Sequence, residues 1–352
     1  MSDKVKKPTS SNGLFRPIAI AASGVMGIFF GIAMEKARVF EPMVIRDQMV
    51  FSRFIMVKMF LSAVVAGQLG FLALSFLAPK KLHKAREEYA CCVYRRGLFD
   101  TAIGAAMLGA GMTVAGACPG MVIIQAGSMV PNAAFTIGGL LFGTYIYASV
   151  HDFVVKFFHR PAHHPRSKVF LDQVAGVSAP VLFASMSAAL ATIILVLEYF
   201  FPWTSEVPRP NLPGTTGMMM HAWSPVVAGA IVGSLQIPAV VFIGDTLGSS
   251  TSYVTVCAQP FEDGLTSGMV GYLSAYKRGT SNWWQVVYIG CAALGAYISS
   301  SNGIIPYDAT DVAVQGVPAV AAFLGGILMI FGSRMAGGCT SFVAVPAMNT
   351  PF

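Results

Sequence analysis

The sequence predicts an all-α, polytopic membrane protein with two pseudo-symmetric halves and short re-entrant helices. Three observations predict it. The 352 residues are 55% hydrophobic and only 11% charged, with a mean hydropathy of +0.65; a soluble domain carries about 25% charged residues. Asp, Glu, Lys and Arg are absent from 101–151, 173–197, 210–244, 280–307 and 312–333, and a helix needs roughly 20 apolar residues to cross a bilayer. A shift of 221 positions lays Gly104 on Gly325, Gly111 on Gly332, Ala115 on Ala336, Gly116 on Gly337 and Cys118 on Cys339. Interrupted apolar segments at corresponding places in two halves point to a transporter-like central site. A β-barrel would show short alternating segments instead.

The chain divides into a polar tail (1–16), a first membrane half (17–201), a Pro/Gly-rich linker (202–221) and a second half (222–352). No cleavable leader is read in the lysine-bearing tail. The net charge of +7 lies between apolar segments, so it marks loops at a lipid bilayer rather than a nucleic-acid surface. Six cysteines in this length are not a disulfide scaffold.

The first span, 17–34, carries Gly24, Gly27 and Gly31, a small-residue packing face. A charged stretch with bulky apolar residues follows, Glu35 to Asp47. It reads either as an ordinary loop or as a re-entrant segment lining a cavity. A second span covers 54–78 and stops at Pro79. Residues 80–96 read as a basic loop. With the tail on the same side, the positive-inside rule puts the N-terminus in the cytoplasm. Cys91 and Cys92 in that loop read as plain thiols or acylation targets.

A third span, 97–116, stops at Cys118-Pro119. The apolar piece 119–130 is too short to cross, and 133–158 is a further span. His151, His159, His163 and His164 follow among prolines and cations, and read as an interfacial loop rather than a metal site. Span 173–201 ends in an aromatic cluster. Span 222–243 repeats the glycine spacing at Gly229 and Gly233. Asp245 and the hydroxyl-bearing residues from Ser249 to Tyr253 then mark a third candidate break, or a simple turn outside the membrane. A connection at 259–282 contains a short amphipathic piece. Spans 283–300 and 317–335 complete the set, and the chain stops at Phe352 before another crossing helix would fit.

Two runs carry chemistry: Gly116-Ala117-Cys118-Pro119-Gly120 and Gly337-Gly338-Cys339-Thr340-Ser341. A helix start leaves N–H groups unpaired and partly positive, which suits an anion. Pro119 is favoured at the first helical position and puts Cys118 at the cap; Thr340 and Ser341 supply hydroxyls at the equivalent place. A thiol there has a lowered pKa. Taken singly, each cysteine is more often a buried small hydrophobe. That plain reading serves for Cys257 and Cys291, while the repeat and the flanking glycines favour a functional role for Cys118 and Cys339. A disulfide between those two stays open.

These two runs and the two-half layout resemble the YeeE/YedE sulfur-transport family over about residues 20–341. The resemblance implies re-entrant helices, thiosulfate or a related small sulfur anion as substrate, and transport roles for Cys118 and Cys339 through transient S–H–S contacts or sulfur relay. It also implies a cytoplasmic sulfur-acceptor protein as a partner. The family's first motif, Arg-x-x-x-Cys-Phe followed by Arg-Asp, maps onto Arg38, Phe40 and Arg46-Asp47, with Phe40 where a thiol would stand. No haem, flavin or iron–sulfur motif is present, so no cofactor and no enzymatic activity is expected. A membrane thiol-redox protein and a non-transporting relative are the competing readings.

Overall fold

A computed structural model describes residues 15–94, 98–158, 176–207, 211–261, 268–303 and 314–337. The regular elements among them are helical. The chain opens with α1 (Phe15–Lys36), α2 (Pro42–Met49), α3 (Ile55–Leu77), α4 (Pro79–Tyr94), α5 (Leu98–Ala115), α6 (Met121–Gly127) and α7 (Ala133–Phe158). Then come α8 (Ala179–Phe200) and the single turn α9 (Trp203–Glu206). After them come α10 (Pro225–Ser234), α11 (Ser250–Cys257), α12 (Gly268–Ser274), α13 (Thr280–Ser301) and α14 (Ala319–Ala336). Past Ser234, α10 runs on through Gln236–Pro238 and a π-helical turn, Ala239–Ile243.

Six stretches are long and apolar enough to cross a membrane: Pro17–Lys36, Ile55–Leu77, Ala133–Phe157, Ala179–Phe200, Pro225–Ile243 and Ala319–Ala336. The other two expected spans also form helices. α5 is apolar but short. α13 carries more polar residues and packs one face against α1 and α6, while Trp283, Leu294 and Tyr297 are exposed on the other. Its Gln285, Tyr288 and Ser299 are buried.

The basic stretch read as a loop is largely helical, as α4. Pro79 opens that helix, where its missing N–H costs nothing. The Lys, Ala, Arg and Glu residues that follow are strong helix formers.

Glycines set the register of three close helix pairs. A Cβ on Gly27 or Gly31 of α1 would strike the carbonyls of Tyr288 or Ala292 of α13, so the two helices run parallel. Gly229 and Gly233 of α10 meet the carbonyls of Met59 and Ala63 of α3 in the same way, again parallel. The α5–α14 pair runs antiparallel. A Cβ on Gly104 would lie 2.8 Å from the Gly332 oxygen, and one on Gly111 would lie 2.8 Å from the Gly325 oxygen. Backbones this close gain dispersion contacts without a large side chain between them.

The stretch after α8 is packed rather than loose. Buried Lys58 of α3 pairs with Glu206 at 2.7 Å and with Glu198 at 3.0 Å, and donates to the Phe201 carbonyl at 2.5 Å. The Glu206 carboxylate also accepts the Phe54 N–H at 2.5 Å. This cluster ties the end of α8 and α9 to the start of α3.

Candidate functional site

α5 and α14 both end on a glycine with a left-handed backbone: Gly116 at φ +57° and Gly337 at φ +94°. This conformation terminates a helix cheaply only at glycine. Gly116 is constrained twice, since a Cβ there would also sit 2.8 Å from the Pro42 Cβ at the start of α2.

After Gly116 the chain is non-helical through Ala117 and Cys118 and turns at Pro119-Gly120. α6 is assigned from Met121, yet its hydrogen bonding begins earlier. The Cys118 carbonyl accepts the Val122 N–H at 3.0 Å, and Cys118 Sγ accepts the Met121 N–H at 3.4 Å. Cys118 therefore occupies the capping position by its bonds, with its thiol where a Ser or Asp oxygen usually sits. Its side chain is buried.

Gln125 joins two breaks in the chain. Its side-chain NH2 donates to the carbonyls of Phe40 and Gly116, each at 2.8 Å. Tyr253 of α11 brings in the third break by donating its hydroxyl to the Pro119 carbonyl at 2.5 Å. That third break is interior: Ser249, Ser250, Ser252 and Tyr253 are buried.

The charged stretch after α1 is buried as well. Glu35, Lys36, Arg38 and Glu41 are each no more than 2% exposed. Arg38 pairs closely with Glu41 and reaches Glu35 at 3.5 Å. Glu35 accepts the Ser299 hydroxyl of α13 at 2.5 Å, and Lys36 lies 3.6 Å from Glu35. Two carboxylates against two cations balance, which is what burial requires. Arg38 takes a left-handed backbone, φ +59°, uncommon outside glycine. Its guanidinium lies 5.0 Å from the centre of the Phe40 ring, a cation–π contact. Phe40 itself is wholly buried. Arg46 is committed elsewhere, to the carbonyls of Thr113 and Val114 at the end of α5.

The structure thus gathers Cys118, Gly116, Pro119, Phe40 and Arg38 around α2 and α6. Gly338, Cys339, Thr340 and Ser341 lie outside the described residues, as do His159, His163 and His164. Near that end, Arg334 of α14 donates to the Tyr272 hydroxyl at 2.8 Å and sits over the rings of Tyr272 and Tyr276. Cys257 reaches the Leu141 carbonyl at 3.5 Å, and Cys291 packs beneath Gly24. His151 lies against Tyr272 with ring centres 4.4 Å apart. Among the described residues no cluster suits a metal ion.

Among Gln125, Tyr253, Glu35 and Glu41, Gln125 is the one residue that the sequence reading does not single out. Gln125 had a signal, being a lone amide in an uncharged apolar piece too short to cross.

The family model for sulphur transport matches residues 36–349. The chain belongs to the sulphur transport family. That match begins at the buried charged stretch and takes in all three breaks, and it agrees with the YeeE/YedE resemblance. With its six apolar helices, this family member is an integral, multi-pass membrane protein. No curated protein matches the chain.

Proposed function

We propose that the protein carries thiosulfate or a closely related sulfur anion across its membrane, handing it past Cys118 and then Cys339. The observation that carries this reading is the buried Cys118 thiol at the break before α6, on a backbone held by Gln125 and Tyr253. A thiol beside partly positive N–H groups offers a soft donor to a soft anion. Passage by S–H···S contact makes and breaks no covalent bond, so it needs no electron acceptor.

The two halves are related by a dyad in the membrane plane. α5 and α14 begin and end 221 positions apart, as Leu98–Ala115 and Ala319–Ala336. Their facing glycines exchange under that shift: Gly104 faces Gly332, while Gly111 faces Gly325. The matched pairs α1–α13 and α10–α3 support the same dyad. The tail is cytoplasmic, and an acceptor protein for sulfur meets the chain on that side.

Uptake of sulfur-labelled thiosulfate into vesicles containing the full chain tests the reading. Uptake competed by unlabelled thiosulfate is expected. Normal folding with no uptake of thiosulfate or sulfite would overturn it in favour of a non-transporting relative.

A further inference from the structure

Buried polar atoms are almost always hydrogen-bonded, and exceptions occur just before α11 and at two positions one turn apart on α13. Ser249, the residue before α11, is 1% exposed; its hydroxyl has no partner and does not cap its own helix. Gln285 of α13 is 7% exposed, and its Oε1 has no partner. Tyr288, one turn further along α13, is 0% exposed with an unpartnered hydroxyl. The Gln285 amide lies against the turn that carries Ser249: a Cβ on Gly248 would meet Gln285 Nε2 at 3.7 Å and Oε1 at 4.0 Å.

The same elements hold the cysteine turn. α11 donates the Tyr253 hydroxyl to Pro119, the neighbour of Cys118. α13 packs along α6, with Gly127 against the Ala293 carbonyl.

We propose that Ser249, Gln285 and Tyr288 form a neutral subsite for the oxygen atoms of a tetrahedral sulfur oxyanion. The inference rests on the sulfur-anion reading above. The two hydroxyls donate, and a half-turn of the Gln285 amide presents its NH2. The start of α11 adds partial positive charge. Neutral donors bind an anion without the carboxylates that a buried cation would demand. The empty valences cost stability in the unliganded protein, and an oxyanion fills them.

The test is thiosulfate binding to the full chain in lipid nanodiscs, read together with melting temperature. Ser249→Ala and Tyr288→Phe each remove one oxygen, and Gln285→Met keeps the shape of the side chain. Each variant is expected to raise Kd roughly tenfold or more, the worth of one hydrogen bond to a charged group. The unliganded melting temperature should hold or rise, because an orphaned polar atom has gone. Wild-type Kd in all three variants overturns the subsite, and the transport reading stands if Cys118→Ala alone abolishes uptake. A lower unliganded melting temperature in all three makes the groups structural supports and overturns it equally. Wild-type protein that binds neither thiosulfate nor sulfite overturns both readings.

Discussion

The side-chain amide of Gln125 donates to the main-chain carbonyl of Phe40, 85 positions earlier, at 2.8 Å. With its bond to Gly116 it satisfies two carbonyls that no water reaches. Gln125→Leu keeps the size and removes both bonds. A lost partner for a buried group costs about 1–3 kcal/mol. The variant should therefore be less stable by roughly 2–6 kcal/mol, counting both bonds. Thermal unfolding in detergent checks this, and a melting temperature equal to wild type would show that the two breaks hold together without it.

Gly104 and Gly111 test the proposed dyad. Each faces a glycine of α14 across a gap with no room for a methyl group. Overpacking a tight contact costs about 1–3 kcal/mol. Gly104→Ala and Gly325→Ala should cost alike, and so should Gly111→Ala and Gly332→Ala. A large cost on α5 with none at the matching position on α14 would contradict the dyad. Unfolding of the four single variants decides it.

Lys58 is 0% exposed and holds two carboxylates. Lys58→Met leaves Glu206 buried without its cation. Breaking a buried pair from one side costs about 3–5 kcal/mol. Lys58→Met/Glu206→Gln should recover much of that loss, because the stranded charge is gone. Equal instability of single and double variants would assign the cost to packing instead.

Much of this architecture was legible because a bilayer writes on sequence through charge. Stretches without Asp, Glu, Lys or Arg mark most of the spans, and the 221-position shift relates α5 to α14. What was hidden depended on partners distant in the chain. In the sequence Glu35, Lys36, Arg38 and Glu41 fit either an ordinary loop or a re-entrant segment, and only their burial with Ser299 and Phe40 decides that they are interior. The span 283–300 is legible as α13 (Thr280–Ser301), but its packing against α1 and α6 is not. α4 reads as a loop by its charge, whereas its Lys, Ala, Arg and Glu residues favour a helix.

Cys118 separates chemistry from capping. Cys118→Ser keeps an acceptor for the Met121 N–H; Cys118→Ala removes it. Loss of a capping side chain costs about 0.5–2 kcal/mol, so the alanine variant should melt lower and the serine variant should not. Both should lose thiosulfate uptake, because neither has sulfur. Cys257→Ala and Cys291→Ala should retain it. Full uptake by Cys118→Ser would reduce the thiol to a cap.

Phe40 is the sharpest test of the pathway. It stands where the resemblance places a thiol, yet its ring is wholly buried and carries the Arg38 guanidinium on its face. A phenyl ring has no exchangeable proton and no sulfur, so it cannot hand an anion on. Phe40→Cys trades packing for chemistry. Truncating a buried Phe costs about 3–5 kcal/mol, so the variant should melt lower. Uptake per folded molecule should rise all the same, since a second thiol would lie beside the turn that holds Cys118. The rise should vanish in Phe40→Cys/Cys118→Ala, because the new thiol has nowhere else to pass the anion. Uptake normalised to folded protein measures both. A flat response to Phe40→Cys, or a gain that survives loss of Cys118, would place Phe40 off the route and leave its ring as a seat for Arg38.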